Sequence, residues 1–387
     1  MPNQPIKVLH PITRLIVGGA QENTMYTAAC LDRQRFHVEV LTGPQTGSEG
    51  SLIEEVRQRG IPLTILPELH REINPWLDLQ ALAAMSRFMR RGQFPIVHTH
   101  SSKAGILGRL AARMAKIPII IHTVHGWSFH DYMSSTKNGL YRLLEAWVAR
   151  FTDALIVVTE RDISKGLQAG IGVREKYHLI RSAIPLDEFM PADQERSLAR
   201  LELRLPAEAI VVGNVGRFSA QKNPIDWVRA AGKIGRDCPQ AHFLLVGDGP
   251  LRTQVEEELH RQGIADRAIL TGLRRDVSRM LSAMDIFMLS SLWEGLPRVI
   301  PQAMAMRLPV VANRADGTCE VIEEGITGYL CPPGEVEQLA DYCLQLIFDP
   351  LKRQEMGVKG RRFILQEFDL RRMISQIEEL YEYLLSR

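Results

Sequence analysis

IVVGNVGRFSAQKNP, residues 210–224, runs from a short apolar segment rich in β-branched side chains through a glycine and two cations to a proline that opens a helical pattern. A strand that is apolar along its whole length suits a sheet covered on both faces, and the helix after it supplies one of those covers. The unit recurs downstream at FLLVG (243–247), AILTG (268–272), DIFMLS (285–290), LPVVA (308–312) and TGYLC (327–331), each separated by a helix-length segment. It recurs upstream at IKVLHPI (6–12), HVEVLTG (37–43), LTILP (63–67), IVHTH (96–100), IIIHTVH (119–125), ALIVVT (154–159) and a weaker YHLI (177–180). The fold class is therefore α/β, with parallel, doubly wound sheets. LARLELRLPAEA (198–209) reads as the last helix of the first series, broken at a proline before the new strand at 210.

Two Rossmann-like domains are expected: residues 1–190, a linker region at 191–209, residues 210–368, and a C-terminal helix at 369–387 that packs back towards the N-terminal domain. From Val336 the pattern is almost wholly helical, with a break at Pro350 and IEELYEYLL (377–385) closing the chain. The halves share a plan but not a sequence, which excludes a solenoid. Two such sheets facing each other would put the carboxyl ends of their strands across a common cleft, so chemistry is expected in strand-to-helix loops.

The 387 residues are 45% hydrophobic and 24% charged, with 29 Gly and 21 Pro, a balance that excludes disordered, collagen-like and disulfide-stapled classes. A formal net charge of +2 gives no support to bulk nucleic-acid binding. The charge is uneven: residues 1–200 hold 24 basic and 19 acidic side chains and the rest hold 23 and 26, so the two parts carry +5 and −3. Between 71 and 116, Arg71, Arg87, Arg90, Arg91, Lys103, Arg109, Arg113 and Lys116 face only Glu72 and Asp78. That bias suits an anionic membrane surface or a phosphorylated substrate, with a solvated face as the alternative. Five cysteines, Cys30, Cys238, Cys319, Cys331 and Cys343, include no CxxC pair, so neither a disulfide framework nor a zinc site is indicated and a reducing cytosol fits. No signal-peptide order of basic, apolar and small residues leads the chain, and no apolar run approaches the roughly 18 residues of a membrane span. A cytoplasmic protein with at most peripheral membrane contact is expected.

Three loops are candidates for chemistry. In RLIVGGAQE (14–22), Gly18 and Gly19 allow a backbone to approach a phosphate at a helix amino end. The stretch is not GxGxxG, and a structural turn accounts for it equally well. In VGRFSAQKN (215–223), Arg217 offers a forked donor and Lys222 a movable point charge, which together could neutralise a diphosphate without a metal; exposed loop charges are the alternative. In SSLWEGLPRVIPQAMA (290–305), Glu294 follows a strand in a turn, Pro297 suits the first turn of the next helix, and Gln302 lies inside that helix. A carboxylate there can accept hydrogen bonds from sugar hydroxyls, while stabilising a helix start is the alternative. Histidines gather at His98, His100, His122, His125 and His130. His98 and His100 share a strand face, which suggests a metal pair, but no matching Asp, Glu or Cys cluster accompanies them and no metal is expected. His125, beside Gly126 at a strand end, is the better candidate for touching substrate.

Taken together, these residues resemble the retaining glycosyltransferases of family 4, which have a GT-B fold of two facing α/β domains. The match runs over nearly the whole chain, through GGAQENTMYTA (18–28), HTVHG (122–126), VGRFSAQKN (215–223), LLVGDGP (244–250), SLWEGLPRVIPQAMAMRLPVV (291–311) and EVIEEGITGYLCPPGE (320–335). The resemblance implies an acceptor-side N-terminal domain and a C-terminal domain that binds a nucleotide-diphosphate sugar. Arg217 and Lys222 would hold the donor diphosphate, Glu294 the donor sugar hydroxyls, and the Gly18-Gly19 loop would close over the phosphates. His125 would contact the transferred sugar, and Gly216, Gly295 and Leu296 join the same donor-binding set. The family usually has a second Glu eight positions after the first; here Gln302 keeps a hydrogen-bonding carbonyl for the ribose but loses the charge. Pro297 stands where Gly is common, which removes a backbone N–H.

No DxD is present, and no second carboxylate has the spacing for a glycosidase-like double displacement. The implied reaction is a metal-independent, front-face transfer of a hexosyl or N-acetylhexosaminyl group, with no cofactor beyond the donor and with domain closure gating turnover. A lipid-linked or cell-envelope glycan is the expected acceptor, at the inner face of the membrane, in polysaccharide biosynthesis. Two rivals share the architecture: a sugar-nucleotide epimerase, which needs no acceptor, and a catalytically silent nucleotide-sugar-binding protein.

Overall fold

In the computed structural model, which describes residues 4–45, 47, 49–129 and 132–387, the apolar runs become strands, and all strand pairs among the described residues are parallel. The first series gives β1 (Ile6–Ile12), β2 (Phe36–Thr42), β3 (Leu63–Ile65), β4 (Ile96–His100), β5 (Ile119–Val124), β6 (Ala154–Val157) and β7 (Tyr177–Leu179). Between them run α1 (Gly19–Cys30), α2 (Ile53–Gln58), α3 (Pro75–Gly92), α4 (Ser102–Ala115), α5 (Ser135–Ala149) and α6 (Glu160–Gln168). The sheet order is β3-β2-β1-β4-β5-β6-β7, so winding reverses between β1 and β4. Helix starts follow local chemistry. Asn74 accepts from the Trp76 and Leu77 amides at 3.1 and 3.2 Å ahead of Pro75, and the Thr159 hydroxyl accepts from Asp162 N at 3.0 Å.

The second series gives α7 (Asp193–Glu202), β8 (Ile210–Val215), α8 (Pro224–Asp237), β9 (Ala241–Val246), α9 (Arg252–Arg261), β10 (Ala268–Gly272), α10 (Val277–Ser282), β11 (Ile286–Leu289), α11 (Val299–Ala305), β12 (Val310–Asn313), β13 (Gly328–Cys331), α12 (Val336–Phe348) and α13 (Pro350–Glu367). Its sheet order, β10-β9-β8-β11-β12-β13, reverses between β8 and β11. The core is apolar and closed: Trp227 of α8, Phe243 of β9 and Met288 of β11 are at most 1% exposed. Trp227 satisfies its one polar atom by donating Nε1–H to the Met288 carbonyl at 2.9 Å.

The chain divides into one unit up to Ser182 together with Leu370–Arg387, and another from Ala183 to Asp369. The crossing thus lies ahead of the 191–209 region read as a linker, and α7 is part of the second unit. The charge-dense segment before Pro206 is held by Arg196, which donates to the Ser282 and Met284 carbonyls at 3.0 and 2.7 Å and to the Asp285 carboxylate at 2.7 Å. The helix read at 198–209 starts earlier, at Asp193, and ends where Arg204 turns to φ 53 before Pro206. The last helix, α14 (Leu370–Leu385), belongs to the first unit, with Ile377, Leu380 and Tyr381 buried. No helix among the described residues is long and apolar enough to cross a membrane.

Candidate active site

In the second unit the loops after β8 and β11 leave adjacent strands at the point where the order reverses, the place where doubly wound sheets bind ligands. Hydrogen bonds zip the two loops together. Leu292 N donates to the Gln221 carbonyl at 2.8 Å, and Gln221 Nε2 to the Trp293 carbonyl at 3.0 Å. The Ser290 hydroxyl faces the Lys222 and Asn223 carbonyls at 3.0 and 2.8 Å, and Asn313 Nδ2 donates to the Ser290 carbonyl at 2.8 Å. Asn223 takes φ 47 so that the chain can turn into α8. As a result Lys222 Nζ donates to Glu294 Oε1, an ion pair whose side chains are 21% and 7% exposed. Arg217 stands exposed on the same loop.

Beneath this loop lies the segment 244–250. Phe218 N donates to the Asp248 carbonyl at 3.0 Å, and Leu251 N to the Phe218 carbonyl at 3.0 Å. Gly247 has φ 138, and a Cβ there would fall 2.1 Å from the Gly216 carbonyl oxygen; one at Gly249 would fall 2.5 Å from that of Phe218. These glycines are therefore what lets the cation-bearing loop sit on its floor. Their supporting role went unread in the sequence, although LLVGDGP carried the signal.

Glu294 is no helix cap. Arg298 is the N-cap of α11, so the helix-start alternative is excluded, and Pro297 lies just outside the helix instead of in its first turn. Gln302 is inside α11 and half-buried, Leu296 is buried, and the Gly295 carbonyl accepts from Gly317 N at 3.1 Å. Glu294 N donates to Asp316 Oδ2 at 3.2 Å, so the turn is anchored on both sides of the carboxylate.

Gly18, Gly19 and His125 belong to the first unit. Gly18 precedes α1 in extended backbone without a side-chain cap, and a Cβ there would meet only the end of the Gln21 side chain, at 2.8 Å. The Gly18 conformation is thus open to any residue. At the order reversal of this sheet, Thr13 Oγ1 and Ser101 Oγ lie 2.8 Å apart and Ala104 N donates to Thr13 Oγ1 at 3.0 Å, tying the loops after β1 and β4. His125 follows β5, with Nε2 3.2 Å from His100 Nδ1. His98, His100 and His122 are buried, and His130 lies outside the described residues. The structure adds His10 of β1: one ring nitrogen from each of His10, His98 and His100 lies within 4.8 Å of the other two. Burial pulls His10 down to about 3 and takes His98, His100 and His122 well below the usual imidazole value.

The basic stretch is only partly a surface feature. Arg109 is fully buried, donating Nη2 to Glu145 Oε2 at 2.6 Å and Nε to the Gly105 carbonyl at 2.8 Å, and Lys103 pairs with Asp78 at 2.5 Å. Arg71, Arg87, Arg90, Arg91, Arg113 and Lys116 are exposed.

Residues 209–349 match the family model described as "Glycosyl transferases group 1", and residues 18–182 match "Glycosyl transferase 4-like domain". The chain is 27% identical over 379 residues to the UDP-Gal:alpha-D-GlcNAc-diphosphoundecaprenol alpha-1,3-galactosyltransferase of Escherichia coli, covering 97% of this chain and 96% of that protein. It is 27% identical over 312 residues to the N-acetyl-alpha-D-glucosaminyl L-malate synthase of Bacillus anthracis, covering 79% of each. Its fold is that of Anabaena Alr3699/HepE, crystallised with UDP and glucose, at a TM-score of 0.85 and 23% identity over 98% of this chain and 100% of that one.

Proposed function

The chain belongs to the family 4-type GT-B glycosyltransferases, and from that premise we propose that it moves a hexosyl or N-acetylhexosaminyl group from a nucleotide-diphosphate sugar to a hydroxyl of a lipid-linked glycan, with retention and without a metal. The observation that carries the reading is the Lys222–Glu294 pair at the strand-order reversal of the second unit, with Arg217 on the same loop. Lys222 and Arg217 take the diphosphate. Negative charge grows on the leaving phosphate as the glycosidic bond stretches, and cations fixed in a partly desolvated loop stabilise that state more than the bound donor. Glu294 uses one oxygen for Lys222, and a carboxylate retains further lone pairs for sugar hydroxyls. Gly216, Gly295 and Leu296 flank the donor, Gln302 takes the ribose, the Gly18-Gly19 amides meet the phosphates, and His125 touches the transferred sugar. The new bond forms from the acceptor oxygen to the anomeric carbon on the face from which the phosphate departs, and the acceptor proton passes to that phosphate.

The Escherichia coli relative, named for UDP-Gal and a diphosphoundecaprenol-linked sugar, supports a UDP-hexose donor and a polyprenyl-diphosphate acceptor. The exposed face of α5 supports a membrane-borne acceptor. Leu140, Leu143 and Trp147 are 55%, 68% and 47% exposed beside the exposed Lys137 and Arg142. The one acidic residue of α5, Glu145, is buried against Arg109.

Transfer is read as acceptor-dependent release of UDP from UDP-hexoses, with the anomeric configuration of the product taken from its proton couplings. Lys222→Ala and Arg217→Ala are each expected to lower kcat by about 100-fold or more, the scale of losing one transition-state donor. Near-normal rates in both variants would refute the assignment. UDP and altered sugar released without acceptor would identify an epimerase, and activity lost in EDTA but restored by Mn²⁺ would overturn metal independence.

A further inference from the structure

The central strand of the first sheet, β4, is buried along its whole length, yet three of its five side chains are His98, Thr99 and His100. Buried polar atoms need partners, and here the partners form a line. Thr123 Oγ1 lies 2.6 Å from His98 Nε2, and His98 Nδ1 lies 2.6 Å from the Tyr381 hydroxyl. That hydroxyl lies 3.3 Å from His10 Nε2, and His10 Nδ1 lies 2.8 Å from His100 Nε2. His100 Nδ1 lies 3.2 Å from His125 Nε2. The close approach of His10, His98 and His100 has the dimensions of a metal site, but all six of their nitrogens already face a hydroxyl or another imidazole.

We propose that Thr123, His98, Tyr381, His10, His100 and His125 form one directional hydrogen-bonded chain, and that Tyr381 and the three buried histidines are positioning residues for His125. A neutral imidazole has one N–H and one lone pair, so each link dictates the next. If donation runs from Thr123, then His98, His10 and His100 all carry the proton on Nδ1 and Nε2 of His125 accepts. If it runs the other way, all three carry it on Nε2 and His125 donates from Nε2. Either sense gives the three buried rings the same tautomer and leaves His125 one role. Burial keeps the three neutral, which the alternation requires.

The catalytic consequence rests on the proposed contact of His125 with the transferred sugar; the chain of bonds does not. Long-range proton–nitrogen spectra of the full chain labelled with ¹⁵N-histidine, assigned by single His→Gln variants, should show one shared tautomer for His10, His98 and His100. Mixed tautomers, or stoichiometric uptake of Co²⁺ or Zn²⁺ by the cluster, would overturn the chain. Tyr381→Phe should shift the His98 Nδ1 and His10 Nε2 signals and lower kcat with UDP-hexose at least five-fold, with the donor KM within two-fold. Tyr383→Phe, at an exposed position on the same helix, should change neither. Shifted signals with unchanged kcat would refute the positioning role. If Tyr381→Phe does not fold, Thr123→Val should move the His98 Nε2 signal while Thr123→Ser preserves it, and the absence of that contrast counts against the chain. His125→Ala with full activity and an intact shared tautomer would remove the sugar contact and leave the chain standing.

Discussion

His10, His98, His100 and His122 are buried and neutral in the folded protein, with His10 held near 3 and the others well below the ordinary value. In the unfolded chain each titrates near the ordinary value of about 6.5, so below that pH the unfolded chain takes up protons that the folded one does not. Stability therefore falls as the pH drops through the window from about 6.5 towards 3, by up to roughly 1.4 kcal/mol per pH unit for each histidine. Urea midpoints, with β4 amide exchange reporting the first unit, should be level from pH 8 to 7 and drop steeply from pH 6.5 to 5. A level profile across the lower range would mean that these rings are solvated. At the same scale, Lys222 and Glu294 were both legible as candidates in the sequence, because they stand in loops that follow strands of a doubly wound sheet, where such folds bind ligands. Their direct pairing was not legible, since 72 residues separate them.

The loop that carries Arg217 and Lys222 depends on its floor. Gly247 at φ 138 abuts the Gly216 carbonyl, so Gly247→Ala combines a strained backbone with a clash against main chain that cannot rotate away. It is expected to cost about 1–3 kcal/mol or more and to weaken the thermal stabilisation given by UDP-hexose. Gly263→Ala, at φ 69 with open space around the added carbon, should carry only the conformational cost, roughly 1–2 kcal/mol, and leave donor binding intact. Equal effects on donor binding would separate the floor from the site. The strands themselves were legible almost residue for residue, since a parallel strand buried on both faces is a continuous apolar run, as at IVVGNV and IFML. Helix α7 was misplaced because its run of acidic and Arg side chains looks like a solvated linker until Asp285 gathers Arg196 and Arg200.

Ala183–Asp369 is one contiguous stretch with a complete sheet and its own core, whereas the first unit needs Leu370–Arg387 as well. Residues 183–369 should therefore unfold cooperatively as an isolated fragment. Residues 1–182 should not, unless 370–387 is supplied, because Ile377, Leu380 and Tyr381 complete their core; cooperative melting of 1–182 alone would contradict this. The excess of basic side chains in the first 200 residues, with the exposed face of α5, leads to a second expectation. The full chain should bind vesicles containing phosphatidylglycerol at low salt and release them at high salt, and Leu143→Glu with Trp147→Glu should abolish binding. No binding at low salt would remove the membrane-borne acceptor. By itself the sequence determined two β/α series, their strands and the loops that bear Arg217, Lys222 and Glu294, because periodicity and loop chemistry are local properties. Only the tertiary structure decided that β1 lies beside β4 and β8 beside β11, and that His10 and Tyr381 join the histidines of β4. A sequence pattern records that a side chain will be buried; which distant partner buries it is settled when the whole chain packs.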